Sequence, residues 1–78
     1  MPKAKVTVTL KEGILDAQGQ TVKTALEHLG FAVDDVRIGK FIELQIPDSV
    51  TAEDVKSMSE RLLSNPVLEN FRFEIEPD

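Results

Sequence analysis

The chain has no cysteine, no tryptophan and no tyrosine, and its one histidine is His28. Without cysteine there are no disulfides and no thiolate metal sites, and one histidine makes a metal staple a poor expectation. The lack of thiols is compatible with the cytosol. Basic residues are also scarce, with nine Lys and Arg against fourteen Asp and Glu, a net charge of −5. A nucleic-acid binder displays a basic stripe that releases counterions from phosphates, and none is present. The same acidity disfavours anionic membranes. No apolar run approaches the roughly 20 residues of a membrane span. The opening MPKAKVTV is too short and too polar for a signal peptide. The expectation is a cytoplasmic domain with neither nucleic acid nor membrane as partner.

Seventy-eight residues are expected to form a single domain, 1–78. A chain this short buries only about 60% of the surface its unfolded form exposes, so a lone core is marginal. Small domains compensate with disulfides, a metal or association. Association is what remains here.

Val6, Val8 and Leu10 alternate with Lys5, Thr7, Thr9 and Lys11, the period of a strand with one buried face. Asp16 is a good N-cap for a helix over Ala17–Leu29, carried by Val22, Ala25, Leu26 and Leu29 and closed by Gly30. His28 falls off the apolar stripe. In VRIGKFIELQI, Val36, Ile38, Ile42, Leu44 and Ile46 share one parity, and Arg37, Gly39, Phe41, Glu43 and Gln45 the other. A hairpin turn at Gly39-Lys40 would scramble those faces. One long strand, bent at Gly39, fits better, with Lys40 as the misfit on the apolar parity. Thr51 and Asp54 open a second helix lined by Val55, Met58 and Leu62, and Asn65-Pro66 stops it. Phe71, Phe73 and Ile75 alternate in a last strand.

The order is therefore strand, helix, long strand, helix, strand. Eleven residues of strand, 36–46, span about 36 Å, and the other two strands read as about half that length. Half of the middle strand, carrying Ile42, Leu44 and Ile46, then lacks a partner in its own chain, and an exposed apolar overhang is an aggregation hazard. The fold class predicted is α+β, a ferredoxin-like related sheet with two helices on one face. Dimerisation through Val36, Ile38, Phe41, Ile42, Leu44 and Ile46 would complete it.

No residue set promises chemistry. His28 lies on the outer face of the first helix, and the serines cluster around the second, so no nucleophile has a base at hand. Asp34-Asp35 reads as a solvated turn rather than a metal site. The stretch LKEGILDAQGQ places Gly13, Asp16 and Gly19 between strand and helix, but the spacing matches no phosphate loop. Asp16 would also repel a phosphate on the helix start. Gly19 near the third helical position costs about 1 kcal/mol against alanine. A close approach at the helix start is expected, and a neighbouring protein backbone would fit it. A structural turn and a protein contact surface explain it equally well.

LKEGILDAQG, ALEHLGF, VDDVRIGK and LLSNPVLEN, in this order across nearly the whole chain, resemble the PurS family, small subunits of phosphoribosylformylglycinamidine synthase in purine biosynthesis. Ala17 stands where the family commonly has proline. The resemblance implies a non-catalytic homodimer, or a tetramer, that bridges a glutaminase subunit and an ATP-dependent synthetase subunit. It implies that ATP and magnesium are used by the complex and that no cofactor is bound by this chain alone. Ammonia from glutamine would convert formylglycinamide ribonucleotide to the amidine. Carried over as subunit contacts are Lys11, Gly13, Leu15, Asp16, Gln18, Gly19, Arg37, Gly39, Lys40, Leu63, Asn65, Pro66 and Glu69. Arg37 and Lys40 are alternatively placed along an ammonia path or against the nucleotide. The competing expectation is a ferredoxin-like regulatory domain that senses a small molecule between subunits.

Overall fold

In a computed structural model, which describes residues 1–77, three antiparallel strands and two helices follow the expected order. Strand β1 is Lys3–Leu10, helix α1 Ala17–His28, strand β2 Lys40–Gln45, helix α2 Ala52–Met58 and strand β3 Glu69–Glu76. The sheet order is β2-β1-β3. Alternation in β1 does what the sequence requires: Ala4, Val6 and Val8 are fully buried. On the same face the register sets Leu44 and Ile75 beside Ala4, and Ile42 and Phe73 beside Val6. Val55 of α2 closes this core from above. The fold is α+β and ferredoxin-like in its relation.

The opposite sheet face is polar, as the alternate parity dictates. Lys5 sits between Glu43 and Glu74 and makes a close ion pair with Glu76. That pairing raises the Lys5 pKa and lowers that of Glu76. Phe41 lies on this face too, level with Thr7 and exposed.

The middle strand is shorter than predicted. β2 pairs only from Lys40, opposite Val8, and residues 36–39 lie outside the ladder. The cause is a competing partner, since the Ile38 N–H donates to the Asp16 carboxylate at 2.6 Å. The overhang is thus Val36–Gly39 and not the apolar half. Ile42 and Leu44 pair with β1, and the Ile46 N–H donates to the Pro2 carbonyl at 3.0 Å. β1 and β3 have eight residues each, so strand length alone no longer demands a second copy.

Helix ends follow their local chemistry. Thr51 and Asp54 form a reciprocal capping box. Gly30, at φ +95°, ends α1 in a Schellman arrangement, with the Phe31 N–H on the Leu26 carbonyl and the Gly30 N–H on that of Glu27. Past α2, however, the chain widens into a π-helical turn over Ser59–Leu63. The Ser64 N–H reaches back five residues to the Ser59 carbonyl, 2.9 Å away. One extra residue per turn rotates the side chains, so Leu63 packs on the core and Leu62 is 84% exposed. Of the predicted Val55, Met58, Leu62 stripe only Val55 is in the core; Met58 and Leu62 are exposed. Leu63→Ala is expected to cost about 1–2 kcal/mol and Leu62→Ala under about 0.5 kcal/mol. Thermal unfolding followed by circular dichroism separates the two, and equal losses would contradict the rotated turn.

Among the described residues, α2 with the flanking Val50 and Leu63 covers the apolar face. Among the described residues no extended packing joins α1 to the sheet or to α2. The radius of gyration is 15.8 Å and the longest axis 49 Å. A compact chain of this length has a radius of about 11.5 Å, and an eight-residue strand spans only about 27 Å. The excess comes from α1 lying off the sheet. Leu29 and Phe31 stand exposed at its end.

Candidate functional site

The turn after β1 gathers most of the residues nominated from the sequence. Gly13 takes φ +85°, which lets the Ile14 N–H close back on the Lys11 carbonyl at 3.2 Å. Two residues later Asp16 caps α1. Its Oδ1 accepts from the Gly19 N–H at 2.8 Å and its Oδ2 from Ile38. These two backbone donors, the Ile38 bond foremost, hold its carboxyl below the usual range, with the Arg37 charge adding to the effect.

Gly19 is buried because the chain folds onto it. A Cβ there would overlap the Val36 carbonyl oxygen and the Asp16 carboxylate. The close approach foreseen at the helix start is therefore made by this chain's own segment 36–38. Gly39 is similarly confined, since a Cβ would lie 2.5 Å from the Val8 carbonyl oxygen. Arg37 reaches back across the same turn and donates to the carbonyls of Lys11, Leu10 and Ile14 at 3.2, 3.3 and 3.4 Å.

The Lys40 misfit resolves here as well. Lys40 is on the core-side parity at the end of the ladder, where it pairs with Glu69 of β3 at 3.7 Å. Glu69 also accepts from the Asn65 N–H at 2.7 Å, and the Lys11 N–H donates to the Leu68 carbonyl at 2.9 Å. The Asn65-Pro66 turn is thus tied to the turn after β1. A cavity of about 150 Å³ lies between them, with Asp16, Gln18, Lys40 and Glu69 in its lining.

One end of the sheet accordingly collects Lys11, Gly13, Asp16, Gly19, Arg37, Gly39, Lys40, Asn65 and Glu69. Leu15, Gln18 and Pro66 face solvent beside them, and Leu15 is 78% exposed. Leu63 is apart from this group and packs on the core. Asp16 is buried with its carboxylate on backbone N–H groups, while Arg37, itself exposed, lies along the surface and donates to backbone carbonyls. Leu29 and Phe31, by contrast, offer an uncovered apolar surface that no nomination included. Its signal was Leu29 on the helix stripe, read there as core.

The hydroxyls of Ser59 and Ser64 donate to backbone carbonyls, and His28 is exposed on α1. Among the described residues no three His, Cys, Asp or Glu side chains are grouped to hold a metal. No described helix is long and apolar enough to cross a membrane.

The family model PurS, phosphoribosylformylglycinamidine (FGAM) synthase, matches residues 3–77. The PurS subunit of this synthase from Bacillus subtilis is 49% identical over 79 residues, covering 97% of this chain and 94% of its own. A solved structure of Bacillus subtilis PurS superposes with a TM-score of 0.88, at 49% identity, over 99% of this chain and 100% of that one. A chain in the structure of PurLQS from Thermotoga maritima superposes with a TM-score of 0.72, at 29% identity, covering 97% and 100% respectively. With nearly every residue matched and both architecture and motifs shared, the chain belongs to the PurS family.

Proposed function

We propose that the chain is the small subunit of phosphoribosylformylglycinamidine synthase in purine biosynthesis, and that it assembles the enzyme without performing its chemistry. Relatives that align over nearly all of this chain carry that subunit name, and one similar chain comes from a PurLQS structure. The synthase is a glutamine-using ligase. ATP and magnesium belong to the complex, and this chain, one PurS-like domain over 1–78, holds neither. Its partners are the glutaminase and synthetase subunits, and its setting is the cytoplasm.

The assembly role rests on one observation above all: the chain is unfinished alone. An α1 off the sheet, Leu29 and Phe31 in solvent and a long 49 Å axis describe half of a folded unit. A second copy supplies the missing cover. The free edge of β2 is the row of backbone groups available for joining two sheets. Exposed Leu15, Gln18 and Pro66, beside Lys11, Gly13 and Lys40, form the surface offered to the larger subunits. The ligand-sensing alternative is not favoured, because the likeness to PurS accounts for the chain end to end.

Reconstitution with the glutaminase and synthetase subunits tests the reading. Omitting this chain is expected to reduce glutamine-dependent amidine formation at least tenfold while ammonia-dependent formation persists. Equal glutamine-dependent rates with and without it would refute an assembly role.

A further inference from the structure

We infer that Asp16 and Arg37 act as an intramolecular joint that sets the direction of α1 against the sheet, and so present the helix to a second copy, without touching the larger subunits themselves. The second half rests on the dimer reading above, and the first does not.

A helix normally takes its angle from the side chains it packs on. α1 lacks that constraint, because among the described residues no extended packing joins it to the sheet or to α2, and its one buried residue is Gly19, at the joint. What fixes it is directional bonding at its N-terminus. Each Asp16 oxygen takes a separate backbone N–H, one from the first turn of α1 and one from Ile38, just ahead of β2. Arg37, the residue before Ile38, ties the same segment to three carbonyls of residues 10–14. The planar carboxylate and guanidinium thus lock the start of the helix, the end of β1 and the entry to β2 in one arrangement. Gly19 lets the Val36 carbonyl come within contact.

A side chain reserved for a partner keeps polar atoms free. Asp16 is 6% exposed with both oxygens engaged, and the Arg37 guanidinium, though solvent-exposed, spends its NH1 and NH2 groups on three carbonyls of its own chain. The other charges near this carboxylate are Lys40 of β2 and Glu69 of β3, which share the adjoining cavity and pair with each other.

The test uses the full chain and two readouts. The Ile38 amide is outside the ladder, so its hydrogen-exchange protection reports the Asp16 bond directly. In the wild type that protection, and the amide chemical shift, are expected to follow the Asp16 carboxyl. Because folding lowers this pKa, the bond holds at neutral pH and breaks only in acid stronger than an ordinary aspartate needs for protonation. Asp16→Asn is expected to reduce protection at least tenfold at neutral pH. The chain has no cysteine, so single cysteines at Thr24 on α1 and Gln45 on β2 accept spin labels uniquely. With labelled chains diluted in unlabelled ones, the intrachain distance is expected to be narrow. Asp16→Asn and Arg37→Ala should broaden it, and weaken self-association at least tenfold. Unchanged distances and unchanged Ile38 protection, together with lost binding to the larger subunits, would overturn the joint and make these residues contacts. A wild type that is monomeric by light scattering removes the dimer reading alone, and the distance still decides the joint.

Discussion

On the proposed dimer, changing Leu29 and Phe31 together to lysine is expected to leave the protein monomeric at micromolar concentration. In the single chain these side chains are 73% and 61% exposed. Were that their final environment, replacing them would shift stability by no more than about 0.5 kcal/mol each. Buried against a second copy, each contributes about 1.5–3 kcal/mol, so one chain loses about 3 kcal/mol or more. A two-fold interface counts every contact twice. The dimer then weakens by about 6 kcal/mol, roughly four orders of magnitude in dissociation constant. Lysine is the informative choice because a cation at a helix C-terminus is favourable, so α1 itself is not undermined. Light scattering with refractive-index detection reads the mass, since the chain has no Trp or Tyr to absorb. A double variant still dimeric at 1 μM would show that this surface is not the interface.

That surface marks the boundary of what the sequence could show. Local patterns were legible because their cause is local. The alternation of Val6 and Val8, the Thr51–Asp54 box and the caps at Asp16 and Gly30 each depend on residues within a turn of one another. Failures came where a distant group intervened. Parity runs unbroken from Val36 to Ile46, yet pairing starts at Lys40 because Asp16 captures the Ile38 N–H. Lys40 looked misplaced on an apolar parity because its partner, Glu69, lies on β3. Leu62 and Leu63 exchanged roles through a π-helical turn, which a period of 3.6 cannot anticipate. At the site, motif likeness picked out the cluster but not its orientation. Sequence spacing does not reveal that Asp16 is buried and Arg37 is bonded to its own backbone while Leu15 and Gln18 face out.

Gly19 carries that distinction to its sharpest consequence. On an exposed helix Gly→Ala stabilises by about 1 kcal/mol, since alanine is the better helix former. Here the opposite sign is expected. The added methyl would meet the Val36 carbonyl and the Asp16 carboxylate, and a backbone carbonyl cannot rotate aside as a flexible side chain can. Overpacking of this kind costs about 1–3 kcal/mol, and the displaced segment also pulls Ile38 from Asp16. Gly19→Ala should therefore lose about 2 kcal/mol net. That is a large share of the roughly 4–12 kcal/mol available to 78 residues. The melting temperature should fall by about 8–16 °C. Gly13→Ala separates steric approach from backbone conformation. Gly13 has φ +85° and open space around it, so its cost is the left-handed backbone alone, about 1–2 kcal/mol. Only Gly19→Ala should abolish the exchange protection of the Ile38 amide. If it melted at or above the wild-type temperature with that amide still protected, segment 36–38 would not be seated on the helix start.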